Sequence, residues 1–223
     1  MLSMKDQITA VKGALSAPRI SAYEAAAGTN GDEDPSALNL YLWNAQISGV
    51  FLAPLGICEV VIRNAVADVL ESKYGARWAW APAFEQSLPS PRVGYSPRQD
   101  LLKARRNAQT VGKVIPELKF VFWQHMFTSR HDARLWDTYL LQVMPGLDAS
   151  KSVRQLRKDI YDDLEKIRAL RNRIAHHEPI LTRNLADDFT RITQLIACRS
   201  QLTADWMASY YEEQVQRMLQ SRP

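Results

Sequence analysis

The sequence predicts an all-α protein in which one long apolar helix is enclosed by the others. Residues 36–52 carry apolar side chains on every side, which is typical of a central, enclosed helix. Residues 150–177 carry apolar side chains at alternating spacings of three and four, the period of an amphipathic helix. No stretch has the alternation of a convincing strand. We therefore expect a single domain over residues 1–223 whose core bundle is formed by residues 36–74 and 150–200.

Proline and glycine divide the first half of the chain into elements. Residues 4–16 and 21–27 have helical composition, and residues 28–35 have the composition of a loop. Ser36 is expected to cap the central helix, and Pro54 to kink or break it before a second helix that ends at Gly75. Residues 76–97 are rich in proline and tryptophan, which predicts an irregular excursion held against the core by its tryptophans.

The second half of the chain reads as a series of shorter helices around the long amphipathic one. Proline at the start of a segment and glycine or proline at its end set their boundaries. The predicted helices lie at about residues 97–110, 116–127, 132–144, 150–177, 184–199 and 203–220.

Composition indicates a globular protein of a reducing compartment. Hydrophobic residues make up 46% and charged residues 23% of the chain, and the net charge is +4, which permits nucleic-acid contact. Cys58 and Cys198 lie far apart on apolar segments and are expected to be buried thiols. The N-terminal residues 1–6 are polar, so no secretory signal is expected.

One apolar stretch is long enough to cross a bilayer. No residue between Asp34 and Glu59 is charged. However, polar side chains and a proline are spread through the stretch, at Asn39, Asn44, Gln46, Ser48 and Pro54. Because polar groups at membrane depth are expensive, a buried core helix is the better interpretation, with no membrane contact and a cytoplasmic location.

The sequence offers no pattern for a resident metal or cofactor. His125 and His131 have no third ligand at a suitable spacing, and aromatic residues surround His125. The chain has no glycine-rich phosphate loop and no serine-nucleophile signature. We therefore expect neither metal nor cofactor.

The chemistry of the chain is concentrated in residues 171–178, at the end of the long charged helix. Two adjacent histidines, half of those in the chain, lie there beside two arginines and a glutamate. Such a cluster is common as a polar helix terminus, because cations interact favourably with the last carbonyls. It also holds the groups that cleave RNA without metal. A histidine moves the proton of the ribose 2′-hydroxyl, and an arginine stabilises the charge that develops on the phosphate.

Several blocks of the chain resemble those of a known family. Arg171-Asn172-Arg173-Ile174-Ala175-His176 fits the Arg-x4-His motif of the HEPN superfamily, and residues 170–180 resemble the signature of its Abi-like (abortive infection) group. Three upstream blocks also resemble that group: residues 19–23, 40–44 and 59–64. The resemblance covers roughly residues 15–200.

The resemblance implies a dimeric helical bundle with a cleft at the subunit interface and metal-independent endoribonuclease activity of a toxin or phage-defence type. It implies Arg171 as the transition-state arginine, His176 as the acid/base and Asn172 as a supporting polar group. The expected partners are an RNA substrate and a second copy of the chain, with a cognate antitoxin or a phage component as a further candidate. The HEPN-like bundle would carry extra N-terminal helices and a Trp/Pro-rich insertion.

Helical phase places a condition on this site. Residues five apart on an ideal helix differ by about 140°, so Arg171 and His176 do not share a face. A distorted or terminated helix, a reaching arginine or a two-fold mate would bring them together. Arg173 and His177, four apart, do share a face. His177 continues the apolar seam, so we expect it to be half-buried and orienting, with His176 the preferred catalytic histidine.

Two other groups of charged residues can each be interpreted in two ways. Glu59 and Arg63 are one turn apart and could form an ordinary ion pair. Together with Asn64 they could instead contact Arg171 or a histidine and orient its side chain. Lys103, Arg105 and Arg106 form either a solvated face or a contact for a phosphate backbone.

The main rival function is a non-catalytic module that binds RNA or senses a phage component through the same cleft. A purely structural role is the third alternative.

Overall fold

The computed structural model confirms the all-α class. It describes residues 3–29, 31 and 33–223, and this part of the chain forms eleven α-helices and no strand. In chain order they are α1 (Met4–Leu15), α2 (Ala17–Ala27), α3 (Ser36–Tyr74), α4 (Pro82–Ser87), α5 (Pro97–Ala104), α6 (Val111–Val114), α7 (Phe120–Met126), α8 (Asp137–Val143), α9 (Val153–Ala175), α10 (Leu185–Arg199) and α11 (Gln201–Gln220). Short 3-10 turns lie at Trp78–Trp80, Ile115–Glu117 and Ser129–His131, and a π-helical turn at Asp132–Trp136.

Helix α3 is the centre of the bundle. It packs against α2, α7, α8, α9, α10 and α11, and side chains along it such as Ile47, Phe51 and Cys58 are fully buried. By length and composition α3 could also cross a membrane, and it is the one such helix among the described residues. These helix contacts and buried side chains make it the core helix of the bundle.

The predicted break at Pro54 was wrong, because α3 continues without interruption through this proline. Proline removes one helical hydrogen bond and costs about 3 kcal/mol in a helix interior. Each large apolar side chain that is fully buried contributes roughly 2 kcal/mol, and Phe51 and Leu55 are both buried beside Pro54. Tertiary packing on both sides of the proline therefore outweighs the local cost.

Helix α9 forms along the predicted apolar seam. The side chain of Ser152 accepts a hydrogen bond from the Gln155 backbone N–H at 3.2 Å and caps the helix. The seam residues are buried against the rest of the bundle: Leu156, Ile160, Leu164, Ile167, Leu170 and Ile174.

The excursion at residues 76–97 is more helical than predicted. It contains the turn at Trp78–Trp80 and helix α4, and Trp78 is fully buried with its ring 5.6 Å from that of Phe84. Arg105 fastens this segment to the following helix, since its guanidinium donates to the Ala79 carbonyl at 2.7 Å and pairs with Glu85 at 2.5 Å. Arg105 is therefore a structural cation.

The N-terminal helices differ from the prediction at their boundaries. Helix α2 begins at Ala17, with Pro18 in its first turn, instead of at Ser21. Ser36 is the first residue of α3 and does not cap it, and its backbone N–H donates to Asp34 Oδ1 at 2.9 Å. Positions 1, 2, 30 and 32 lie outside the described residues, so the predicted polar N-terminus and the loop at 28–35 are described only in part.

Gly146 tests how tightly α10 packs against the chain that follows α8. A Cβ at this position would lie 2.5 Å from the Ala197 carbonyl oxygen and 3.2 Å from Cys198. We expect Gly146→Ala to lower the unfolding free energy by about 1–3 kcal/mol, because backbone atoms must shift. Gly56→Ala is the control, since nothing lies within 4 Å of its Cβ and alanine favours a helix. Urea denaturation measures both, and an unchanged midpoint for Gly146→Ala would contradict the packing.

Candidate active site at the end of helix α9

The end of α9 is a left-handed turn built from the two histidines. His176 is the C-cap, and His177 follows with a φ of 55°. The backbone N–H of His177 donates to the Ile174 carbonyl at 3.0 Å, and that of Glu178 donates to the Arg173 carbonyl at 2.8 Å. This pair of bonds is the Schellman arrangement, in which glycine is usual at the position of His177. A non-glycine residue in this conformation costs of order 1 kcal/mol, and such strain clusters at functional sites.

Side chains from three helices hold this turn in place. Arg19 of α2 donates from Nη1 to the His177 carbonyl at 2.7 Å. Asn44 of α3 accepts the Ile180 backbone N–H at 2.8 Å through its buried Oδ1, and Arg173 donates from Nε to the Pro179 carbonyl at 2.9 Å. Arg173 is therefore engaged in holding the turn. The convergence also joins segments that are distant in sequence, since residues 19–23 and 40–44 meet residues 173–180.

His177 faces an enclosed cleft of about 320 Å³, which we call the His177 cleft. Its lining residues are Tyr23, Tyr41, Asn44, Ala45, Ser48, Gly49, Leu52, Ile174, Ala175 and His177. Tyr23 and Tyr41 pack edge to face at 5.1 Å, and the buried Tyr23 hydroxyl has no hydrogen-bond partner among the described residues. Burial raises the pKa of Tyr23, so this hydroxyl is a neutral donor.

The prediction that His177 is half-buried was wrong, because its side chain is exposed. The apolar seam ends with Ile174, which is 5% exposed, and α9 ends one residue later. The left-handed backbone of His177 then turns its side chain out of the helical phase on which the prediction depended. Because of the same turn, the His177 side chain does not share a helix face with Arg173.

Arg171 faces a second, more open groove of about 400 Å³, which we call the Arg171 groove. It is lined by Glu59, Pro116, Glu117, Leu118, Lys119, Phe120, Val121, Arg168, Arg171 and Asn172. The Arg171 guanidinium is exposed and makes no hydrogen bond or ion pair within the described part of the chain. Its neighbour Arg168 is held by Gln124 at 2.7 Å and by Glu165 at 2.6 Å.

The predicted site residues are therefore divided between two surfaces. Arg171, Asn172 and Glu59 share the Arg171 groove, while His177 lines the His177 cleft. His176 is exposed at the helix end and lines neither. This agrees with the helical phase, which separates residues five apart by about 140°. In one chain Arg171 and His177 line different cavities at the end of α9.

The structure shows where Glu59 and Asn64 lie and that Glu59 and Arg63 are not paired. Glu59 and Arg63 form no ion pair, so the ordinary pairing along the helix is absent among the described residues. Glu59 is half-buried in the groove of Arg171, and Asn64 is exposed. Glu59 therefore lies where it can orient a cation in the groove.

Arg19, Tyr23 and Arg168 are parts of this site that the sequence did not assign. Arg168 and Arg171 are three residues apart, a spacing that shares a helix face and could have identified the pair. Arg19 and Tyr23 lie in a block that resembles the family, but their contacts with His177 and its cleft depend on tertiary packing.

His125 and His131 meet in a third cleft of about 270 Å³, with Arg130 and Met126 among its lining residues. His131 is 2% exposed, and its Nδ1 has no partner among the described residues. Burial, with help from Arg130, lowers the pKa of His131 to about 4. Within the described residues no group of three or more histidine, cysteine or acidic side chains could hold a metal ion.

The cysteines are free thiols in the core. Cys58 is fully buried, and burial raises its pKa to about 12. Cys198 is partly buried, and burial raises its pKa as well. Because the thiolate is the reactive form, neither is an activated nucleophile.

Titration of His131 gives a test of this interior. Its pKa in the folded state, about 4, lies below the ordinary value of 6.5, so the unfolded chain takes up the proton first as the pH falls. The stability that His131 contributes is present above pH 6.5 and is lost as the pH falls toward 4. His131→Leu cannot take up this proton. Between pH 7 and pH 4.5 we therefore expect the unfolding free energy of the wild type to fall by about 2–3 kcal/mol more than that of His131→Leu. Urea titrations at both pH values measure this, and an equal fall in unfolding free energy in the two proteins would contradict it.

In comparisons with known proteins, no family model, curated protein or solved structure matches the chain. The function is therefore inferred from the residues and geometry described above. The resemblance of residues 171–176 to the HEPN motif stays a prediction.

Proposed function

We propose that this protein is a metal-independent endoribonuclease of the Abi-like, HEPN type that acts in the cytoplasm as a toxin or phage-defence factor. The observation that carries the proposal is Arg171, an exposed guanidinium with no ion pair or hydrogen bond among the described residues. It lies in an open groove beside Asn172, five and six residues before two exposed histidines in the sequence. An arginine without a protein anion is free to bind a phosphate.

A second line of support is the way the separate sequence blocks meet. Of the blocks that resemble the family, residues 19–23 and 40–44 contribute Arg19 and Asn44 to the turn after α9, and residues 59–64 contribute Glu59 to the groove of Arg171. A purely structural helix end needs a C-cap only. Here a strained turn is held by three side chains, which is typical of a preorganised site.

The reaction follows from the chemistry of these groups. His176 takes the proton of the ribose 2′-hydroxyl, and the 2′-oxygen attacks the adjacent phosphorus in line with the departing 5′-oxygen. The bond from phosphorus to the 5′-oxygen breaks, and the proton returns to that oxygen. Arg171 stabilises the extra negative charge on the phosphate in the transition state, with Asn172 as a neutral donor. The products are a 2′,3′-cyclic phosphate and a 5′-hydroxyl.

Because Arg171 lines the Arg171 groove and His176 lines neither cavity, we propose that two chains complete the site. An uncharged, exposed stripe runs along α3 and consists of Leu42, Ala45, Gly49, Leu52, Gly56 and Val60. Part of this stripe borders the His177 cleft, and Glu59 beside it borders the Arg171 groove. A two-fold axis through the stripe would bring the histidines of one subunit toward the groove of the other.

Cleavage of RNA in EDTA tests the activity. We expect the wild type to cut RNA equally well with and without EDTA, and Arg171→Ala and His176→Ala each to lower the rate by about 10²–10⁴-fold. Arg154→Ala is the matched control, because Arg154 is an exposed arginine on the same helix without an ion pair among the described residues, and it should keep full activity. Growth after induced expression, wild type beside His176→Ala, is the cellular measurement.

Two outcomes would contradict this activity. One is cleavage that requires a divalent metal, and the other is cleavage that survives His176→Ala. Intact RNA bound with a salt-sensitive affinity that His176→Ala leaves unchanged would instead identify an RNA-binding module.

Gly56→Arg tests the two-chain site. Nothing lies within 4 Å of a Cβ at Gly56, and Gly56 lines neither the His177 cleft nor the Arg171 groove, so the new side chain leaves the fold of one subunit intact and blocks the approach of a second. We expect the wild type to sediment as a dimer, and Gly56→Arg to sediment as a monomer that has lost cleavage. Ser72→Arg, at an exposed position of the same helix beyond the stripe, should remain an active dimer. A monomeric wild type that cuts RNA would overturn the shared site.

A further inference from the structure

We propose that a basic groove leading away from Arg171 binds the phosphate backbone of a single RNA strand and guides it to the site. This inference rests on the proposed function and adds a binding surface outside the α9 turn. The surface combines the Arg171 groove with a neighbouring groove of about 520 Å³. The neighbouring groove is lined by Lys103, Ala104, Asn107, Ala108, Gly112, Lys113, Pro116 and Glu117.

The two grooves adjoin each other. Pro116 and Glu117 line both of them, so the chain between α6 and α7 forms a shared wall. From this wall one groove runs toward α5 and the other toward the end of α9. A strand lying along the combined groove would pass Lys103 and Lys113 before it reaches Arg171.

The cations along this path are available to a ligand. The ammonium groups of Lys103, Lys113 and Lys119 are exposed and, like Arg171, make no ion pair or hydrogen bond within the described part of the chain. Nearby Arg98 and Arg105 are different, since both bind Glu85. The sequence cluster at residues 103–106 therefore separates into Arg105, which fastens the fold, and Lys103, which faces the groove.

The balance of charge in the groove favours a polyanion. Its cationic side chains outnumber its carboxylates, which are Glu59 and Glu117. Two neutral amides, Asn107 and Asn172, add hydrogen-bond donors, and such donors commonly bind phosphate and sugar oxygens. Tracking of a backbone by spaced lysines along an open groove is the usual mode of single-strand binding without base readout.

A protein partner fits this surface less well. Stable protein interfaces are built around buried aromatic or aliphatic anchors, with charge depleted at their centre. This groove has lysines and asparagines along its length, and Phe120 in its wall is only 7% exposed. A flexible phosphodiester strand requires only spaced cations, which are present.

Salt-dependent binding of an uncleavable RNA tests the groove separately from catalysis. The probe is a 2′-O-methyl oligouridine of about 12 nucleotides, whose blocked 2′-oxygen prevents the reaction. We expect Lys103→Gln with Lys113→Gln to weaken binding on the order of tenfold. The slope of log affinity against log salt should fall by about 0.7 for each lysine removed. The matched control, Lys73→Gln with Arg154→Gln, removes two exposed cations outside the groove that have no ion pair in the described part of the chain, and it should change neither quantity.

The possible results separate the two proposals. If the Lys103/Lys113 variant binds the probe with wild-type affinity and with the wild-type slope of log affinity against log salt, the proposed RNA binding in the groove is wrong, whether or not the wild type cleaves RNA. Binding that depends on these lysines in a protein that does not cut RNA would support the groove and contradict the ribonuclease. A polyglutamate of the same length that binds as tightly as the RNA would overturn the assignment to a nucleic-acid backbone.

Discussion

The packing of α3 is the constraint on which the rest of this structure depends. The chain carries no charge between Asp34 and Glu59, and α2, α7, α9, α10 and α11 cover the buried face of this helix, while the stripe from Leu42 to Val60 stays exposed. The same helix carries Asn44, a polar side chain buried within this apolar stretch. Its Oδ1 accepts the buried N–H of Ile180 at 2.8 Å. Because an unpaired buried N–H costs roughly 1–3 kcal/mol, this bond fixes the turn after α9 against the core.

The position of that turn determines what the candidate site can do. Ending α9 at Ala175 exposes both histidines, while Arg171 stays on a helix face that opens on a different groove. The two groups needed for RNA cleavage are thus close in sequence and separated in space. Three residues of the uncharged stripe on α3 line the His177 cleft, and Glu59 on the same helix lines the Arg171 groove.

The arginines and lysines of the chain perform two different tasks. Arg105, Arg157 and Arg183 are each paired with a carboxylate, and these pairs join separate elements of the fold. Partly buried pairs of this kind are costly to break, because one charge would remain without its partner. Lys103, Lys113, Lys119 and Arg171 have no such partner in the described part of the chain and line two adjoining grooves. These four cations are therefore available to a polyanion.

The sequence by itself determined the helical class, the seam of α9 and the chemical content of residues 171–178. Apolar periodicity of 3.6 and the spacing of two residues on one helix are local properties, and local geometry decides them. Tertiary structure alone decided that α3 continues through Pro54, that His177 is exposed and that Arg105 is structural. It also decided that Pro116 and Glu117 lie in the walls of two adjoining grooves. Each of these depends on contacts between segments distant in sequence, whose packing energy exceeds the local preference of a proline, a seam position or a charged cluster.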